Sequence, residues 1–212
     1  MLWFHHSEPL PSEAVVSRCG RVLPTTALPP SRAYAAVPRY DHTSDSTNWA
    51  TPEDLFNKLN DEFCFDLDAA ASKLNNRCPY YLDREIDALS VPSWQSPHHV
   101  RDQEGNLTSI LSPRRSIFLN PPYGKEVKHW MKKAYEQSRP QTTLGPTIVC
   151  LINACTDTKW WRDYVWKAQE VRFITGRPKF VRDDGHTGPS PKGAAVCVFT
   201  PWSSGAPKVS LW

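Results

Sequence analysis

The chain has 212 residues, 40% of them hydrophobic, and a formal net charge of +3. That length supports one domain with a full core, and the charge is too weak to announce a polyanion partner, although local basic clusters could still bind one. No apolar run approaches the ~18 residues of a membrane-spanning helix, and Met1-Leu2-Trp3-Phe4 breaks into His5-His6 instead of a signal peptide, so a cytoplasmic protein is expected.

Residues 1–43 read as a disordered tail, because Pro9, Pro11, Pro24, Pro29, Pro30 and Pro38 interrupt every candidate element. Arg18, Arg21, Arg32 and Arg39 leave open a role in holding nucleic acid. The folded domain is expected over 44–212. At its start Thr51 suits an N-cap and Pro52 the first helical position, with Glu53-Asp54 complementing the helix dipole. Leu55, Phe56 and Leu59 give that helix an apolar face to about Asn60. Capping explains Thr51 fully; the same helix end also suits a carboxylate.

Phe63 to Asp68 alternates like a strand and exits into Ala69-Ala70-Ala71, small residues that let backbone approach a ligand. A short strand is expected over 77–82, made irregular by Pro79. Asp83 and Asp87-Ala88 follow; each acid alone reads as a turn or cap residue, yet an acid just past a second strand is also where ribose hydroxyls are gripped. Residues 95–115 read as a long polar loop.

Ser116-Ile117-Phe118-Leu119 is an apolar run suited to a strand buried on both faces. It stops at Asn120-Pro121-Pro122-Tyr123, where neither proline can donate a ladder hydrogen bond. Asn120 therefore marks the strand's carboxyl edge, the usual ligand side of an open α/β sheet. The tetrapeptide offers an amide oxygen, a proline carbonyl and an aromatic face. Two acceptors can hold both hydrogens of an exocyclic amine while its planar base stacks on Tyr123. A rigid turn with Tyr123 merely packed is the plainer alternative.

Val127, Trp130, Met131, Ala134 and Tyr135 recur at helical spacing over 126–138, and Thr147 to Ile152 forms a second buried strand. Thr156-Asp157-Thr158 precedes a short helix with Trp160-Trp161, and strands are expected at 171–174 and 194–199. No helix separates the last two, so they are expected to be antiparallel. The remaining alternation of strand and helix implies a mainly parallel sheet with helices on both faces. Cys19, Cys64, Cys78, Cys150, Cys155 and Cys197 contain no CxxC pair and are expected to be reduced thiols, with no metal site.

Several segments taken together resemble the phage-type DNA N6-adenine methyltransferase family: Trp49-Ala50-Thr51-Pro52, Leu67-Asp68-Ala69-Ala70, Cys78-Pro79-x-Tyr81, Asp87-x-Leu89, Asn120-Pro121-Pro122-Tyr123, Thr156-Asp157-Thr158-Lys159-Trp160 and Gly176-Arg177-x-Lys179-Phe180. The resemblance runs in order from about Asp45 to Phe199. It implies a Rossmann-like three-layer αβα sandwich and an S-adenosylmethionine cofactor. Thr51 and Pro52 would contact the methionine carboxylate, Asp68 would lie near the methionine amino group with Ala69 also at the cofactor, Asp83 would hold the ribose, and Asp87-Ala88 would contact the adenine ring. Asn120, Pro121, Pro122 and Tyr123 would be the catalytic motif, acting on adenine N6 in DNA. Cytosine N4, an RNA adenine or a protein glutamine would present a similar conjugated amine, and a non-catalytic nucleic-acid-binding module is the reading of another class. Arg177 and Lys179 are candidate phosphate contacts, against ordinary surface charge. The loops at 95–115 and 183–192 are the candidates for sequence specificity. The family also implies a bacterial or phage-infected host cell.

Overall fold

A computed structural model describes residues 49–109, 115–139, 145–182, 187–190 and 192–212. The expected tail at 1–43 lies outside the described residues, as do residues 110–114 of the 95–115 loop and 183–186 and 191 of the later one.

In chain order the elements are β1 (Trp49–Ala50), α1 (Glu53–Phe63), β2 (Leu67–Asp68), β3 (Tyr80–Tyr81), β4 (Val100–Asp102), β5 (Leu107–Thr108), β6 (Ser116–Leu119), α2 (Val127–Gln137), β7 (Thr147–Asn153), α3 (Lys159–Asp163), a 3₁₀ turn (Val165–Lys167), β8 (Glu170–Phe173), β9 (Lys179–Arg182), β10 (Thr187–Pro189), β11 (Ala194–Phe199) and β12 (Lys208–Leu211). Nine strands form one sheet in the order β12-β8-β11-β7-β6-β2-β3-β4-β5. Strands β3, β2, β6 and β7 pair in parallel. As expected, β11 is antiparallel, to β7 on one side and to β8 on the other. The sheet is thus mixed, with a parallel centre. β1, β9 and β10 form a separate antiparallel sheet.

Alternating strand residues point to opposite faces. Ile117, Leu119, Ile148, Cys150, Ile152, Ala195 and Cys197 join Trp130, Met131 and Ala134 of α2 and Trp161 of α3 in one core cluster. Phe118, Val149, Leu151, Val196 and Val198 join Leu55, Phe56 and Leu59 of α1 in a second. Helices therefore cover both faces, as the two-sided apolar strands require. They are fewer than strict alternation implies: the β2–β3 connection is built of turns.

Several boundaries depart from expectation. Residues 100–108 form the β4–β5 hairpin, antiparallel to β3, in place of a structureless loop. Its tip closes through Asp102, whose Oδ1 accepts from Asn106 N at 2.7 Å, and through Gly105 at φ 90°. Helix α1 continues to Phe63, and β2 is correspondingly shorter. Pro52, at ψ 139°, is the N-cap in place of Thr51, and no side chain caps the helix. Cys78, Cys150, Cys155 and Cys197 are thiols. Cys64 is half-exposed in a left-handed helix-ending conformation at φ 53°, whereas Cys78, Cys150 and Cys197 are buried. Among the described residues no helix is long and apolar enough to cross a membrane.

Candidate active site

From β2 the chain steps sideways to β3, then returns to lay β6 on the other side of β2. The order of the parallel strands reverses between β2 and β6, and a crevice outside their carboxyl ends is where such sheets take ligands. Asp68 ends β2 and Asn120 follows the end of β6. Both line one shallow, open recess, together with Ala50, Thr51, Ala70, Asn75, Arg77 and Phe118. Three sequence-predicted residues from three separate segments, Thr51, Asp68 and Asn120, thus meet in one place.

Asp68 is held by backbone on both sides. Its own carbonyl accepts from Leu82 N at 2.9 Å, and the next amide, Ala69 N, donates to Phe118 O at 2.9 Å. The side chain is 4% exposed, and Oδ1 accepts from Ala70 N at 3.1 Å. Burial pushes its pKa up to about 7, opposed by the Ala70 hydrogen bond and the positive charge of Arg77. Arg77 itself has a buried Nε with no hydrogen-bond partner among the described residues.

The Asn120 side of the recess is a stiff turn. Pro121 is buried, and Pro122 and Tyr123 are half-buried. Gly124 follows at φ 131° with open space about it, so the backbone angle and not crowding asks for glycine there. The Tyr123 hydroxyl lies 3.5 Å from Asn120 Oδ1, at the limit of a hydrogen bond. Tyr123 packs edge-on to Phe180 of β9, so the small sheet buttresses the turn. Burial raises the phenol's pKa above its ordinary value, and the ring stays neutral near pH 7.

Asp83 and Asp87-Ala88 lie beyond the end of β3, outside the lining of this recess. Asp83 Oδ1 accepts from Ile86 N at 3.0 Å, and Oδ2 accepts from Arg101 Nε at 2.7 Å. Arg101 comes from β4 and also pairs with Glu85, so the hairpin orients the acid. Asp87 adopts φ 50°, which a short polar side chain tolerates, and accepts from Leu89 N and Ser90 Oγ. Buried Ala88 gives its carbonyl to Trp94 Nε1 at 2.7 Å. Helix α2 then pins the segment: Gln137 Oε1 accepts from Trp94 N at 2.7 Å, and Lys133 Nζ donates to Val91 O at 2.6 Å. Arg177 and Lys179 are exposed, at the approach to and the start of β9.

Sequence reasoning missed Arg77 and Asn75 as lining residues. A lone arginine ahead of an irregular strand has no periodic signal, although the nearby Pro79 hinted that the backbone there serves a turn.

The family model described as DNA N-6-adenine-methyltransferase (Dam) matches residues 41–211. The chain is also 27% identical over 163 residues to a protein of Haemophilus phage HP1 (strain HP1c1) named DNA N-6-adenine-methyltransferase, a match that covers 74% of this chain and 81% of the relative. With the strand-end asparagine and its Pro-Pro-Tyr turn set beside a buried acid on the neighbouring strand, this chain belongs to the phage-type DNA N-6-adenine-methyltransferase family of methyltransferase enzymes.

Proposed function

We propose that the protein transfers a methyl group from S-adenosylmethionine to the N6 amino group of adenine in DNA, in a Rossmann-like αβα sandwich. The observation that carries the reading is the placement of Asp68 and Asn120 on adjacent parallel strands, facing one recess at the sheet's switch point. The chemistry of the recess suits the cofactor's amino-acid end: a buried carboxylate with one backbone hydrogen bond stands beside the small residues Ala50 and Ala70.

Asp68 is the proposed partner of the cofactor's ammonium group. Thr51 and Pro52 are proposed to lie against the cofactor's carboxylate, where the unsatisfied amides that open α1 add partial positive charge. Ala69 brings backbone close to the ligand, Asp83 is the proposed ribose acid, and Asp87-Ala88 the proposed edge for the adenine ring. When bound, the sulfonium supplies an already activated methyl electrophile.

The chain's own contribution is orientation and acceptor placement. A target adenine is flipped out of the stack at a cost of a few kcal/mol and lies on the Tyr123 ring. Asn120 Oδ1 and the Pro121 carbonyl accept its two N6 hydrogens, drawing the nitrogen toward tetrahedral geometry and localising its lone pair for in-line attack. Pro122 stiffens the turn that presents them. An amide is no base, so the proton leaves to water after transfer. Arg177 and Lys179 are the proposed phosphate contacts.

Incubation of the protein with DNA and methyl-labelled cofactor, followed by nucleoside mass spectrometry, tests this. Label in N6-methyladenine is expected. Label in N4-methylcytosine, in RNA alone or in protein would move the acceptor, and no label anywhere would remove the activity.

A further inference from the structure

Arg77 is the feature of the recess that the reaction above leaves unused. It lines the same recess as Asp68 and Asn120. Its Nε is buried without a hydrogen-bond partner, and among the described residues no ion pair joins it to Asp68, although its charge is felt there. An unpaired interior guanidinium N–H carries the full desolvation cost of a charged donor, so its place here is explained when an acceptor enters the recess.

The backbone that carries Arg77 is held on both sides. Just ahead of it, the 72–76 turn is closed by Ser72 N donating to Asn75 Oδ1 at 2.6 Å and Asn76 N donating to Ser72 O at 2.9 Å. Cys78, directly after it, is 1% exposed. On the other wall Asp68 commits Oδ1 to Ala70 N and shows no hydrogen bond at Oδ2 among the described residues. One cation and one acid therefore face a common space without pairing with each other. The ligand complementary to such a pair carries both charges close together, as an α-amino acid does, and a guanidinium fork matches a planar carboxylate.

We infer that Arg77 and Asp68 form a clamp for the zwitterionic amino-acid end of the cofactor, Arg77 taking the carboxylate and Asp68 the ammonium. This rests on the cofactor proposed above. It assigns Arg77 as a binding residue and makes the carboxylate, not the adenosine, the group that this wall of the recess reads.

Calorimetry on the full chain tests it, with S-adenosylmethionine, its decarboxylated form and 5′-methylthioadenosine as ligands, on wild type, Arg77→Gln and Arg77→Lys. Wild type is expected to prefer the carboxylated ligand. Arg77→Gln should weaken that ligand roughly ten- to hundred-fold, change the decarboxylated ligand by less than about two-fold, and so erase the preference; Arg77→Lys should recover part of it. An Arg77→Gln protein with a wild-type melting temperature that keeps the preference overturns the clamp. So does a wild type that binds both ligands equally, a result that needs no variant to fold. Loss of DNA affinity with cofactor binding intact makes Arg77 a phosphate ligand instead. If wild type binds none of the three ligands, the cofactor reading fails first and the clamp with it.

Discussion

Tyr123 and Phe180 meet edge to face, ring centroids 5.9 Å apart and planes at 87°. Tyr123 belongs to the turn after β6, and Phe180, 2% exposed, belongs to β9 of the smaller sheet. The ring on which a base is proposed to stack is thus set by a strand far along the chain. Phe180→Ala should cost about 3 kcal/mol of stability and lower kcat/KM on DNA, with cofactor affinity nearly unchanged. Phe180→Leu should restore most of the stability and little of the rate. Urea unfolding, turnover and calorimetry on both variants would show it; equal recovery of stability and rate would reduce Phe180 to packing.

The proposed chemistry assigns different atoms to Asn120 and Tyr123, and their variants should separate accordingly. Asn120→Ala removes an acceptor needed only as charge develops on N6, so kcat should fall by about two to three orders of magnitude while cofactor affinity survives. Tyr123→Phe keeps the ring and removes a hydroxyl that makes only a 3.5 Å contact, and should retain most activity. Tyr123→Ala removes the stacking face and should not. A single-turnover assay on a short duplex decides between these outcomes.

Much of this site is legible before folding because its chemistry sits on strongly patterned elements. Ile117 to Leu119 and Ile148 to Ile152 are apolar without a break, so strands buried on both faces, and the asparagine that ends one of them, stand out. What stays hidden depends on distant partners. The β4–β5 hairpin is polar because it closes an edge of the sheet, and Arg101 gains meaning only when Asp83 is beside it. Helix α1 outruns its apolar stripe to include Asp61 and Glu62, which a local pattern cannot justify. That Arg77 Nε has no hydrogen-bond partner among the described residues is a property of the packed recess alone.

The pKa of Asp68, raised from 3.8 to about 7, couples the site to pH. Burial is the main cause, and Arg77 is the charged group acting against it. A carboxyl whose folded pKa lies above its unfolded value favours folding in its protonated form. That contribution is complete below about pH 3.8 and is lost as pH rises through 7. At 1.4 kcal/mol per unit the loss is on the order of 4 kcal/mol. The ligand-free protein should melt progressively lower between pH 5 and 8, and Asp68→Asn should flatten that slope. Binding of a cationic ammonium favours the ionised acid, so cofactor affinity should rise with pH up to about 7 and then level off. Proton release, read by calorimetry in buffers of different ionisation enthalpy, checks the sign; affinity that falls over this range would exclude ammonium binding at Asp68.

Arg172 of β8 holds Glu62 of α1 through a bidentate pair, Nη1 to Oε2 and Nη2 to Oε1 both at 2.6 Å, and also bonds Glu170 on its own strand. Its guanidinium carbon sits 5.5 Å from the centre of the Phe63 ring. The pair fastens the carboxyl end of α1 to the sheet, which explains why the helix runs on past its apolar stripe. Arg172 is 11% exposed and Glu62 44%, so solvent screening limits what the pair contributes. A double-mutant cycle on Glu62→Ala and Arg172→Ala should give a coupling of about 1 kcal/mol. The Arg172 hydrogen bond holds the Glu62 pKa below its usual value, against the opposing effect of burial. The contribution is therefore present above pH 4.5, the ordinary value, and fades as pH falls through the folded one. Urea melts from pH 7 downward should show the coupling in full above pH 4.5 and its decline as acid protonates the folded Glu62; coupling that never declines would mean that packing against Phe63, and not charge, joins the two elements.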